Sequence, residues 1–164
     1  MRVVTGSAKN TPTKKMANTT KSTVQGSCLC GKIQFEMLIP KSDEQNCLCF
    51  CNSCRKITGS VGMANTWCKK EDLQFLTPES LMSIYEDNSP DSGGTIHRGF
   101  CATCGSTMIS ENKKLFPGNW IVPVGALEVD PLTTTWQPRT EYFCKRKMPW
   151  FSTPADTVRY KELF

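Results

Sequence analysis

The chain has 164 residues, 38% of them hydrophobic, with 20 Lys and Arg against 15 Asp and Glu. That length and composition suit one globular domain with a modest core, and nowhere do the ~20 consecutive apolar residues of a membrane span occur. The formal charge of +5 resides in Arg2, Lys9, Lys14, Lys15 and Lys21, ahead of the first acidic residue, Glu36; the remainder is balanced, which weighs against a nucleic-acid reader.

Residues 1–23 are rich in Thr, Ser, Asn and Lys and almost devoid of large apolar side chains, so they are predicted to form a disordered basic tail. They contain no apolar stretch of the kind a secretory signal requires, which points to a cytoplasmic protein. Residues 24–164 are expected to form a single domain. In "GKIQFEML", Ile33, Phe35 and Met37 alternate with Lys32, Gln34 and Glu36, the period-two pattern of a half-buried strand. Further strands are predicted within 61–68, 81–86, 95–101, 106–110 and 119–129, punctuated by turn residues such as "SPDSGG" and "PGN". Two short helices are predicted, in "NSCRKIT" and in "TPADTVRYKEL", where a proline stands near the start. The fold class is therefore mostly β, with several small sheets and few helices.

Ten cysteines dominate the chemistry: 28, 30, 47, 49, 51, 54, 68, 101, 104 and 144. A disulfide framework fits poorly with a reducing compartment and with C-x-C spacing, which would close a strained ring. Metal binding explains the clustering, because thiolates crowd together only when an ion neutralises them, and short loops bring two ligands at once. Cys28 with Cys30 and Cys101 with Cys104 supply two ligands each, enough for a closed structural zinc site. Cys49, Cys51 and Cys54 supply three, which leaves a position open for chemistry. A rival assignment recruits Cys47 as a fourth ligand and closes the second site. Cys68 and Cys144 lack close cysteine neighbours and are read as buried thiols.

The segments "GSCLCGKIQFEM", "CFCNSCRKITGS" and "RGFCATCGSTM", followed by "PVGALEVDP" and "MPWF", resemble the glutathione-dependent formaldehyde-activating family, which also includes centromere protein V. The resemblance covers about Gln25 to Trp150 and matches seven cysteines in identity, spacing and order. It implies a zinc-stapled Mss4-like fold of small coiled antiparallel sheets, with two zinc ions per chain, one structural and one catalytic. It also implies that Cys49, Cys51 and Cys54 form the reactive centre, and that glutathione is substrate or co-substrate. The chain departs from the common pattern at Phe50 and Trp136, where many relatives carry His.

Three thiolates make zinc electron-rich and a weak activator of water, so hydrolysis is disfavoured, and the H-x-E with P-C-x-x-C signature of the zinc deaminases is missing. Such an ion suits an incoming thiol, which it holds as thiolate for attack on a small aldehyde. The expected activity is a carbon–sulfur lyase resembling S-(hydroxymethyl)glutathione synthase, with a larger glutathione conjugate as the alternative substrate. A non-catalytic zinc-stabilised interaction module is the competing class. Arg55 and Lys56 are candidates for the carboxylates of glutathione. Trp136, Trp150 and Phe151 could wall a pocket or pack in the core, and His97 could shuttle a proton or lie outside the site.

Overall fold

The computed structural model describes residues 22–40, 42–130 and 134–164, so the predicted tail falls outside it except for its last two residues. In chain order the elements are β1 (Thr23–Ser27), β2 (Gln34–Leu38), β3 (Cys47–Cys49), α1 (Asn52–Thr58), β4 (Met63–Lys69), β5 (Leu73–Phe75), β6 (Met82–Asp87), β7 (Ile96–Cys101), β8 (Thr107–Glu111), β9 (Asn119–Pro123), β10 (Thr140–Tyr142) and β11 (Val158–Arg159). The mostly β reading holds. The strands gather into a three-stranded sheet, β1-β2-β5, and an eight-stranded one, β11-β10-β3-β4-β9-β8-β7-β6. All pairings are antiparallel except those of β10, which runs parallel to both β3 and β11.

The alternation in β2 places Phe35 and Met37 at 0% and 1% exposure, facing inward from the small sheet. They meet Cys68 of β4, Val122 of β9 and Ile109 of β8, which come from one face of the long sheet. Burying Phe35 fully contributes about 3 kcal/mol. The contact is close enough to dictate its opposite residue: a Cβ on Gly26 would stand 2.2 Å from Phe35 Cζ, so only glycine fits there. Gly26 also bridges to Leu127, and Glu128 N–H donates to Gln25 O at 2.7 Å, which ties the two sheets together.

The central strand β4 is buried on both faces, its Met63, Asn65 and Trp67 turned away from that core and its Thr66 and Cys68 toward it. The "NSCRKIT" helix forms as predicted, ending on Gly59 in the left-handed region at φ 61°. The helix predicted in "TPADTVRYKEL" does not form; β11 lies there instead. Thr157 and Thr153 hydroxyls donate to the buried Glu141 carboxylate, and Tyr160 N–H donates to Glu141 O at 2.8 Å, so β-branched and aromatic residues are held extended against β10.

Candidate metal centres

All ten cysteines are free thiols. Two sets of them converge, each with its sulfurs within 4.8 Å of one another: Cys28, Cys30, Cys101 and Cys104, and Cys49, Cys51 and Cys54.

The first set is built from two turns, each closed by a glycine, one of four residues and one of five. Gly31 N–H donates to Cys28 O and Gly105 N–H to Cys101 O, both at 2.9 Å, and each glycine takes a positive φ, 72° and 75°. An L side chain would strain either turn. The Cys28 and Cys30 sulfurs are 3.5 Å apart, and those of Cys30 and Cys101 3.7 Å. A tetrahedron of thiolates at the ~2.3 Å zinc–sulfur distance has edges of about 3.8 Å, so the donor set fits that ion. Backbone N–H groups of Ile33 and Thr103 point at Cys28 and Cys101, at 3.2 and 3.4 Å. Ser106 Oγ, 3.3 Å from Cys104 Sγ, helps draw that thiol down to about 5 and accepts the Leu29 N–H at 3.1 Å, linking the two turns.

The second set arises where β3 runs into α1. Cys49 ends the strand, Cys51 occupies the N-cap, and Cys54 lies in the first turn with its N–H 3.3 Å from Cys51 Sγ. Thiol donors Cys49 and Cys54, this N–H and nearby Arg98 hold Cys51 down to about 3. Its thiolate and burial push Cys49 up, and they outweigh the pull of Cys49 on Cys54, which also rises. Binding of a divalent ion requires all three as thiolates, so it would release protons from the two thiols that are pushed up.

These sulfurs border a cleft of about 590 Å³, its open mouth included. Strand register explains its walls. Tyr142, Cys49 and Met63 form one row across the sheet, Cys47 and Asn65 the next, and Trp67, Ile121, Ser110 and Arg98 the third. All of them border the cleft, as the period of two requires.

Cys47 borders the cleft but stands outside the converging set. Its sulfur accepts from Trp67 Nε1 at 3.5 Å, and burial pushes its thiol up to about 11. Arg55 and Lys56 do not border the cleft. They follow Cys54 on α1, and the 100° turn per residue carries them away from the direction in which Cys54 points. The cation that does border it is Arg98, 6% exposed, whose Nε and Nη2 donate to Asp87 Oδ2 at 3.1 and 2.7 Å. Burial alone would raise the Asp87 carboxyl, but Arg98 and Ser53 of α1 hold it below its usual value. Asp91 braces the same helix end, accepting Asn52 N–H at 2.8 Å and pairing with Arg146 at 2.9 Å.

His97 alternates with Arg98, points away from the cleft and lies 3.5 Å from Glu86. Trp136 borders a separate cavity beside Met37 and Thr66. Trp150 is 71% exposed, and Phe151 packs edge-on against Phe50, which is fully buried between Cys49 and Cys51. Sequence reasoning missed Arg98 and Asn65. Their signal was parity: each shares strand face with apolar residues, Ile96 for one and Met63 and Trp67 for the other.

With this geometry in hand, comparisons with known proteins give a consistent result. The sequence model described as "Glutathione-dependent formaldehyde-activating enzyme" matches residues 23–146. A curated protein of Halomonas elongata, whose name places it provisionally as such an enzyme, is 29% identical over 85 residues. That match covers 52% of this chain and 54% of the relative, so the chain spans about half the length of the curated relative it matches. A crystal structure of a Rhodobacter sphaeroides protein superposes with a TM-score of 0.53 at 22% identity, covering 66% of this chain and 92% of that one, which is a likeness of fold.

Proposed function

The chain belongs to the glutathione-dependent formaldehyde-activating enzyme family, and from that premise we propose that it is a zinc-dependent carbon–sulfur lyase acting on a thiol adduct, most simply S-(hydroxymethyl)glutathione. The observation that carries this reading is the convergence of three cysteine sulfurs, and not four among the described residues, at the edge of an open cleft. In this proposal Cys28, Cys30, Cys101 and Cys104 hold one structural zinc, and Cys49, Cys51 and Cys54 hold a second that takes part in the reaction.

Zinc held by the triad supplies a soft Lewis acid that favours the thiolate form of an incoming thiol. The chain's own groups do the rest. Cys49, Cys51 and Cys54 orient their sulfurs through the strand end and the helix cap. Arg98 offsets their negative charge, and Asp87 fixes the guanidinium in place. Met63, Trp67 and Ile121 make the wall apolar and keep water from competing for the aldehyde. In the forward direction the thiol sulfur bonds to the formaldehyde carbon, the C=O π pair moves to oxygen, and the proton lost by the thiol ends on that oxygen. Reversal breaks the carbon–sulfur bond and returns thiol and aldehyde.

An interaction module with two closed structural zincs is the rival class. It requires a fourth ligand for the triad, and the placement of Cys47 beside Trp67 weighs against it. Native mass spectrometry of the purified chain with and without glutathione tests the proposal in one spectrum. Two zincs and a glutathione adduct that disappears in Cys54→Ser are expected. Two zincs that ignore glutathione would overturn the lyase reading in favour of the module.

A further inference from the structure

Two buried amides border the cleft with one polar atom each left without a protein partner among the described residues: Asn65 Oδ1 and Asn112 Nδ2. The residues are 3% and 1% exposed, so these atoms are deep rather than washed by bulk solvent. Their identities follow from the opposite ends of each amide. Asn65 Nδ2 donates to Met63 O at 3.2 Å, which leaves its oxygen free. Asn112 Oδ1 accepts the N–H groups of Lys114 and Leu115 at 3.2 and 3.0 Å, which leaves its NH₂ free. A buried polar group without a partner is costly, so such groups in a cleft mark where a ligand's polar atoms go.

Strand register orders them. Asn65 lies in the row beside Cys49 and Met63, Trp67 and Ser110 lie in the row beyond, and Asn112 follows Ser110 by two residues. The cleft therefore runs from the triad sulfurs to an unpartnered acceptor, past Trp67 and Ser110, to an unpartnered donor. We infer that Asn65 and Asn112 select a thiol of peptide type, Asn65 accepting an N–H close to the sulfur and Asn112 donating to a carbonyl or carboxylate farther along it. The inference rests on the thiol-addition reading above and deepens it, by naming residues that distinguish a peptide thiol from a simple one.

Calorimetric titration of the zinc-loaded chain tests it, with glutathione compared against 2-mercaptoethanol and 3-mercaptopropionate, two amide-free thiols, neutral and anionic. Asn112→Asp keeps the oxygen that holds the 112–115 turn and replaces the free donor with an acceptor. Asn65→Leu keeps the branching of the side chain and removes the free acceptor, together with the Nδ2 bond to Met63 O. Each change is expected to weaken glutathione on the order of 10-fold to 100-fold, to leave 2-mercaptoethanol unchanged and to affect 3-mercaptopropionate much less than glutathione, with zinc content intact by mass spectrometry. Equal weakening of 3-mercaptopropionate by Asn112→Asp, or glutathione affinity unchanged in both variants, overturns the assignment while leaving the lyase reading in place. A wild-type chain that takes up none of the three thiols overturns the lyase reading and this inference together.

Discussion

Arg98 Nη2 lies 2.7 Å from Asp87 Oδ2 inside the wall of the cleft, and the same guanidinium helps to hold the Cys51 thiol down and partly offsets the rise of Cys54. The pair joins β6 to β7 and, through Ser53, reaches α1, so one buried ion pair couples the long sheet to the helix that carries the triad. Removing either partner leaves an uncompensated buried charge. Arg98→Met is expected to lower the unfolding free energy by about 3 kcal/mol, and the double change with Asp87→Asn by less than the sum of the single changes. Chemical denaturation of the three variants measures both quantities.

Glu141 is fully buried and receives Lys147 Nζ at 2.8 Å, Thr157 Oγ1 at 2.7 Å and the Thr153 hydroxyl at 2.5 Å. Burial by itself would raise its carboxyl, but these donors hold it down at about 2 against an ordinary 4.5. Because the folded value lies below the unfolded one, the stabilisation is fully present above pH ~4.5 and is lost as pH falls toward ~2; its size is about 3 kcal/mol. Glu141→Gln should remove that dependence, so the difference in unfolding free energy between the two proteins should shrink steadily across this window.

The two cysteine sets should respond differently to loss of a ligand. Cys101, 1% exposed, belongs to the core between the sheets, so Cys101→Ser is expected to lose one zinc and cooperative unfolding together. Cys54→Ser is expected to lose one zinc and thiol uptake while keeping a sharp thermal transition. Zinc content by mass spectrometry and calorimetric melting distinguish these outcomes.

Cys47→Ala tests whether the triad is complete without Cys47. Both zincs should remain, and the cost should be confined to a small cavity beside Trp67, about 1–2 kcal/mol. Loss of one zinc equivalent would move Cys47 into the ligand set and close the second centre.

The mostly β class and both cysteine groupings were legible in the sequence, because period-two alternation and short chelating spacings are local properties. Phe35 and Met37 announced β2, and C-x-C and C-x-x-C announced the turns around Gly31 and Gly105. The long-range arrangement was not legible. Nothing local in "TEY" indicates a strand that slots between β3 and β11, since its support comes from Thr153, Thr157 and Tyr160 in a later segment. That same pairing defeated the helix predicted in "TPADTVRYKEL", where the proline signal was real but the threonines found a better partner in Glu141. Arg55 and Lys56 were chosen for adjacency in sequence, whereas the cleft receives its cation from a strand whose register alone brings Arg98 level with Ser110 and Trp67.

The parallel pairing of Thr140 with Cys47 also sets an order of events during synthesis. β3 gains its antiparallel neighbour β4 almost at once, but its other edge stays unpaired until the segment around Thr140 has left the ribosome, and a contact of such long sequence separation closes late. The four-cysteine centre can assemble earlier, once Cys104 emerges. With zinc held there as proposed, a nascent chain would be stapled before β3 is covered, and arrest of translation between these two points would leave the edge of β3, with Cys47 and Cys49 on it, open to other chains.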